Sequence, residues 1–175
     1  MVKITIFGLA GTGTSSIGKQ LAKDNNLEFI STGNIFRELA KNEGYTLIEF
    51  SELCKNNLKY DKELDNKIKT IGKNKNNFVI DSRLAWYFIP DSIKIKLNCE
   101  FNTRIKRISK RDNLSIEETK IKTNNREKFE LERYSKLYNL NNYFKDENFE
   151  LIIDTTNKNI EEIIKIIQNY IKNKY

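Results

Sequence analysis

The chain has 175 residues, 38% of them hydrophobic, enough for one core domain with small appendages. No apolar run approaches the ~18 residues of a membrane span, and Met1-Val2-Lys3 leads directly into a strand pattern without a cleavable leader, so a cytoplasmic protein with no membrane partner is expected. With no histidine, and with Cys54 and Cys99 far apart, the chain offers neither a zinc-site pattern nor histidine acid–base chemistry; two buried, reduced thiols are expected.

The net charge of +7 comes from 24 Lys spread along the chain and seven Arg, at 37, 83, 104, 107, 111, 126 and 133. Scattered lysines make a solubilising surface, and a nucleic-acid partner would rest on charge alone, so none is expected. Arginine is scarce here, and each one is a candidate for forked, bidentate contact with phosphate, which Lys cannot copy.

In chain order, short apolar runs at Lys3–Phe7, Leu27–Ile30, Phe78–Asp81, Ile93–Leu97 and Leu151–Asp154 predict five strands. Longer helical stretches separate them, which predicts an α/β fold with a parallel sheet covered on both faces. Helices are expected over about Leu47–Asn57, Lys62–Gly72 and Ile160–Lys172, the last with apolar residues at helical spacing. Thr46-Leu47-Ile48-Glu49 and Ser115-Ile116-Glu117-Glu118 read as capping boxes at helix starts.

Directly after the first strand comes Gly8-Leu9-Ala10-Gly11-Thr12-Gly13-Thr14-Ser15-Ser16, then a helical pattern. Strand, glycine-rich turn and helix form a phosphate-binding loop: the glycines let successive amides face one anion, and the helix start adds partial positive charge. Ser15 stands where the loop hydroxyl ligates Mg²⁺. Thr14 occupies the position of the usual loop Lys, and Lys19, roughly 140° further round the helix, is a poor substitute. The bland alternative is a glycine-rich turn of any α/β protein.

The second strand runs into Ser31-Thr32-Gly33-Asn34-Ile35-Phe36-Arg37, where a helix start and an Arg one turn in would hold a second phosphate. The third strand ends in Asp81-Ser82-Arg83-Leu84-Ala85. A carboxylate at a strand's C-terminal end lies beside the phosphate loop of a doubly wound sheet, so Asp81 is a candidate for the Mg²⁺ shell and Arg83 for the transferring phosphate. A strand-end Asp capping a turn is the alternative.

Arg104, Arg107 and Arg111 fall on one helical face, and Arg126, Glu130 and Arg133 on another. Two arginine-lined helices joined by a short segment suit a lid over phosphates. Solvated helices with salt bridges such as Arg126–Glu130 are the alternative, each worth ~0.3–0.5 kcal/mol.

These segments together, from Lys3 to Asp154-Thr155-Thr156, resemble the compact cytidylate kinases, within the nucleoside monophosphate kinase family of P-loop kinases. That family usually has Asp where this chain has Asn34, and Glu-Gly where it has Asp81-Ser82. Some compact members share the Thr at position 14. The resemblance implies a single domain, 1–175, with a core (1–30, 73–103 and 148–175), a helical monophosphate-binding flap (31–72) and a short helical lid region (104–147). It implies transfer of the γ-phosphoryl group of ATP, with Mg²⁺, onto CMP or dCMP. Gly8 to Ser16 would hold the ATP phosphates, and Ser15 and Asp81 the metal. Ser31, Thr32, Arg37, Arg83, Arg126, Glu130 and Arg133 would bind the acceptor, and Arg83, Arg107, Arg111 and Arg126 would serve catalysis. An acid at position 130 can accept a hydrogen bond from a cytosine amino group. A monomer is expected. The alternatives are an adenylate or other monophosphate kinase, and a nucleotide-binding pseudokinase prompted by Thr14.

Overall fold

Residues 1–46, 49–50, 53–54 and 57–174 are described by the computed structural model. The central strand, β1 (Lys3–Gly8), is buried from Ile4 to Gly8, which explains its unbroken apolar run. Ile4 and Ile6 point to one face and pack with Ile17 and Leu21 of α1 (Thr14–Asp24) and Ile163 and Ile167 of α7 (Ile160–Lys174). Phe7 points to the other face, among Leu84, Trp86, Tyr134, Tyr143 and Phe149. Each such fully buried side chain contributes about 1.5–3 kcal/mol.

Around β1 the sheet runs in the order β2-β3-β1-β4-β5, every pair parallel, with β2 at Glu28–Ser31, β3 at Phe78–Asp81, β4 at Ile93–Asn98 and β5 at Leu151–Asp154. The connecting helices are α2 (Thr32–Asn42), α3 (Lys59–Asn74), the single turn α4 (Ala85–Phe88), α5 (Phe101–Asp112) and α6 (Ile116–Tyr138). A short 3₁₀ turn, Asp146–Asn148, precedes β5.

Boundaries differ from expectation where local chemistry intervenes. β2 begins one residue late because Asn26 turns left-handed (φ 53°) and the Leu27 amide caps α1 by bonding the Ala22 carbonyl. α3 starts three residues early and ends two late, and α7 extends two residues further than expected. The helix expected over Leu47–Asn57 lies largely outside the described residues. Its capping contacts are in place: the Glu49 amide donates to Thr46 Oγ1 (3.3 Å) and the Thr46 amide to Glu49 Oε2 (2.8 Å). The Ser115–Glu118 box forms reciprocally at the start of α6. Of the two thiols expected to be buried, Cys54 is. Cys99 is only half-buried, because it follows the C-terminal end of β4 and lies under the Arg107 guanidinium.

This topology brings Gly8, Ser31, Asp81, Asn98 and Asp154 to the same, C-terminal edge of the sheet, where ligands bind in open α/β folds.

Candidate active site

The loop after β1 depends on two left-handed residues, Gly11 (φ 85°) and Gly13 (φ 97°). A Cβ on Gly11 would also lie 2.8 Å from the Arg104 carbonyl oxygen, so the loop lies directly against α5. Thr12 pins the loop from inside, its amide and hydroxyl both donating to the Leu9 carbonyl (3.2 and 2.9 Å). Among the described residues no side chain caps α1, which leaves the first-turn amides of Thr14, Ser15 and Ser16 open to an anion. Thr14 is buried, its methyl packed toward Gly8, and brings no charge.

Ser15 Oγ donates to Asp81 Oδ2, so the hydroxyl and carboxylate expected at a metal meet at the loop mouth. Among the described residues no group of three or more acidic, His or Cys side chains converges. A two-donor site fits Mg²⁺, which keeps several waters and takes substrate phosphate oxygens as ligands. The Asp81 carbonyl in turn accepts from Thr32 Oγ1 (3.1 Å), and Ser31 pairs with Asp81 in the sheet register. One residue thus joins the phosphate loop to the start of α2. That start also lacks a side-chain cap, and Arg37 Nη2, one turn along, rests on Asn34 Oδ1 at the surface.

Arg83 crosses above β1. Its Nη1 donates to the Gly8 carbonyl and its Nε to Glu130 Oε2 (3.0 Å). Glu130 Oε1 accepts from Arg126 Nε (2.9 Å), and Tyr143 hydroxyl approaches Oε2 at 3.3 Å. Burial alone would raise the Glu130 carboxyl, but the Arg83 and Arg126 guanidiniums outweigh it and hold the group at about 2. Burial works against the charge on Arg83, and Glu130 more than restores it. The Arg126 guanidinium remains 59% exposed at the mouth. The salt-bridge alternative for this helix is therefore present in part, but it fixes one arginine beside the phosphate loop and leaves the other open. Both Glu130 oxygens are engaged by arginine, which gives this acid an orienting place in the structure.

The arginines of α5 separate. Buried Arg104 bonds the Ala10 carbonyl (3.1 Å) and Glu127 of α6 (2.5 Å), bracing the loop. Arg107 reaches the Gly11 carbonyl (3.4 Å) and the Thr155 carbonyl (2.8 Å). It lines a recess of about 640 Å³ with Thr12, Gly13, Ser16, Thr155 and Lys158. Arg111 is exposed and pairs with its neighbour Asp112. Arg133, two turns beyond Arg126 along α6, meets Asp61 of α3 (3.1 Å). Asp65, one turn on, accepts from Tyr138. Burial, then the neighbouring Asp61 charge, push Asp65 up to about 7. A wider groove of about 1110 Å³ lies on the opposite face of α3, where lysines and glutamates alternate without converging.

Asp61, Asp65, Glu127 and Tyr143 were not singled out by the sequence. The signal available for the two aspartates was their i, i+4 spacing beside Leu64 and Ile68, on a face that should be apolar.

A five-stranded parallel sheet flanked by helices, with a glycine loop opening α1, defines the P-loop kinase fold class. Shikimate kinase from Bacteroides thetaiotaomicron shares this fold with a TM-score of 0.67 at 17% identity, each chain covered to 98%. The chain belongs to the cytidylate kinase-like family, whose model matches residues 3–157. A relative from Methanosphaera stadtmanae named cytidylate kinase is 37% identical over 171 residues, 98% of each chain. A protein of Lacinutrix mariniflava named S-adenosylmethionine-dependent nucleotide dehydratase is 36% identical over 97% of this chain, which spans 36% of that protein. Among the described residues no helix is long and apolar enough to cross a membrane.

Proposed function

We propose that this protein is a nucleoside monophosphate kinase that transfers the γ-phosphoryl group of ATP to CMP or dCMP, giving CDP or dCDP and ADP. The observation that carries the reading is the pair Arg83 and Arg126, held on one carboxylate beside the first glycine of the phosphate loop. Its closeness to relatives named cytidylate kinase supports the choice of acceptor.

In this reading the open amides of Thr14, Ser15 and Ser16 hold the donor phosphates, and the recess beside Arg107 takes the nucleoside half of ATP. The start of α2, with Ser31, Thr32 and Arg37, holds the acceptor phosphate. Ser15 and Asp81 would hold Mg²⁺, which neutralises charge on the phosphates when bound. An acceptor phosphate oxygen forms the new bond to γ-phosphorus as the bond to the β-phosphate bridging oxygen breaks, and that electron pair leaves with ADP. Arg83 and Arg126 align the two phosphates and neutralise the equatorial oxygens, so no side-chain base is required. Residues 31–72 act as the acceptor flap and 104–147 as the lid of one domain, with small nucleotides rather than nucleic acid as partners.

Thr14 favours a second reading, a nucleotide-binding protein without transfer. It supplies no charge, Arg107 is engaged on carbonyls, and Arg111 lies at the surface, so positive charge at the loop mouth falls to Arg83 and the open Arg126. A coupled ADP-release assay with Mg·ATP and each monophosphate in turn decides. Transfer to CMP or dCMP far above AMP is expected. Equal or faster transfer to AMP overturns the acceptor assignment, and ATP binding without transfer to any monophosphate establishes the second reading.

A further inference from the structure

Lys96 lies within β4, opposite Phe7 of β1 in the sheet register, and is only 7% exposed. An ammonium stays buried only where its protons find partners. Here Nζ donates to the Phe144 carbonyl and to Asp146 Oδ1, both at 2.6 Å, and lies 5.8 Å and 5.9 Å from the Phe149 and Phe144 ring centres. Lys96 thereby fastens to the sheet the segment 139–150, which joins α6 to β5 with a single 3₁₀ turn as its regular structure.

The residue before Phe144 is Tyr143. Its ring meets Phe7 and Tyr134 edge-on, at centroid distances of 5.8 and 4.8 Å, and is fully buried. Its hydroxyl donates to Glu130 Oε2, the oxygen that also receives Arg83 Nε. Burial first, then the Glu130 charge, raise that hydroxyl above the usual tyrosine range, so it remains a donor. The main chain of Arg83 is held separately, because Trp86 Nε1 donates to its carbonyl (3.0 Å). The direction of the Arg83 guanidinium therefore depends on the Gly8 carbonyl and on where Glu130 Oε2 stands. Arg83 and Arg126 are the groups that must respond to phosphate, and a carboxylate held by them alone would follow them. Among the described residues, Tyr143 is the donor to Glu130 that is not an arginine, and packing locks it in place.

We propose that Tyr143 is a positioning residue for phosphoryl transfer, its hydroxyl fixing the Glu130 oxygen that aims Arg83, and that Lys96 sets the place of Tyr143 through the neighbouring carbonyl. The inference rests on the reading of Arg83 as the arginine that aligns the phosphates, and adds to it two residues that touch no substrate. A buried tyrosine whose hydroxyl was only being satisfied would matter for stability alone.

Tyr143→Phe removes the hydroxyl and keeps the ring, and Lys96→Met removes the ammonium and keeps the chain length, so both variants retain the aromatic packing. With only seven arginines in the chain, the Arg83 Nε–H resonance can be followed by NMR after isotope labelling of arginine, and assigned by its loss in Arg83→Lys. In each variant that proton should exchange with water about tenfold faster than in wild type, while the signal of buried Arg104 stays as it was. With Mg·ATP and CMP, kcat should fall about tenfold and the KM for ATP stay within about threefold, since a misdirected arginine is felt in the transition state. The double variant should lose no more than the worse single one, because the two residues act in one chain. An Arg83 proton that exchanges as in wild type in both variants overturns the proposal, as does a kcat within about twofold of wild type. Losses that multiply in the double variant overturn the part given to Lys96. If wild type transfers to no monophosphate, the proposed function fails separately, and the Arg83 resonance still decides whether Tyr143 holds that arginine.

Discussion

Replacing Glu130 by Gln keeps the shape of the side chain but removes the charge that Arg83 and Arg126 share. The two guanidiniums hold the carboxyl at about 2, against an ordinary 4.5, despite burial that would raise it. That difference corresponds to about 3 kcal/mol of stability at neutral pH, in line with the ~3–5 kcal/mol lost when one partner of a buried pair is removed. Because the folded value lies below the unfolded one, the contribution is complete above about pH 4.5 and fades as the pH falls toward 2. Urea unfolding of wild type and Glu130→Gln at pH 7, 4 and 3 should show a gap of about 3 kcal/mol that narrows on acidification. A gap under 1 kcal/mol at pH 7, or one constant with pH, refutes the shared-carboxylate account. The variant should also lose kcat with CMP, by on the order of 100-fold, as Arg83 loses its orientation. Its CMP:UMP preference should be unchanged. A collapsed preference would instead give Glu130 the base-reading role that its position in the sequence suggests.

Arg37→Lys and Arg83→Lys should each lower kcat/KM for the acceptor at least tenfold with charge preserved, since Lys cannot form a bidentate fork on phosphate; wild-type kinetics in both would remove these residues from the site. Ser15→Ala and Asp81→Asn should raise the Mg²⁺ concentration needed for half-maximal rate, and an unchanged Mg²⁺ titration in both would dissociate the pair from the metal. Asp65, raised to about 7 by burial and the nearby Asp61, favours its neutral form in the fold. Its contribution to stability is therefore complete below about pH 4 and is lost as the pH rises through 7. Asp65→Asn should accordingly gain on wild type across that range in thermal unfolding, and a constant difference would show that Asp65 does not titrate there.

Strand positions and the phosphate loop were readable because they depend on local rules. β1, β3 and β5 are short apolar runs bounded by turns, and the glycines at 11 and 13 and the hydroxyls after them stand in one unbroken segment. β2 was misplaced by one residue because the left-handed Asn26 is a backbone choice that Asn allows but does not dictate. Arginine faces could be read from periodicity, but their partners could not. Arg83 and Glu130 are separated by 47 positions, and nothing near either names the other. Likewise the i, i+4 spacing of Asp61 and Asp65 beside Leu64 and Ile68 hints at an acidic edge on an apolar face without naming its partners. Only the packing of α3 against α6 turns that acidic edge inward.

At 23 residues, α6 is a rod about 34 Å long. Four attachments are strung along it: Glu127 to Arg104 under the loop, Glu130 to Arg83, Arg133 to Asp61, and Tyr138 to Asp65. A stiff beam pinned at four points cannot yield at one and stay put at the others. A tilt that lifts its flap end from α3 also drags Glu127 and Glu130 against the loop end, so the two halves of the cleft share one mechanical degree of freedom.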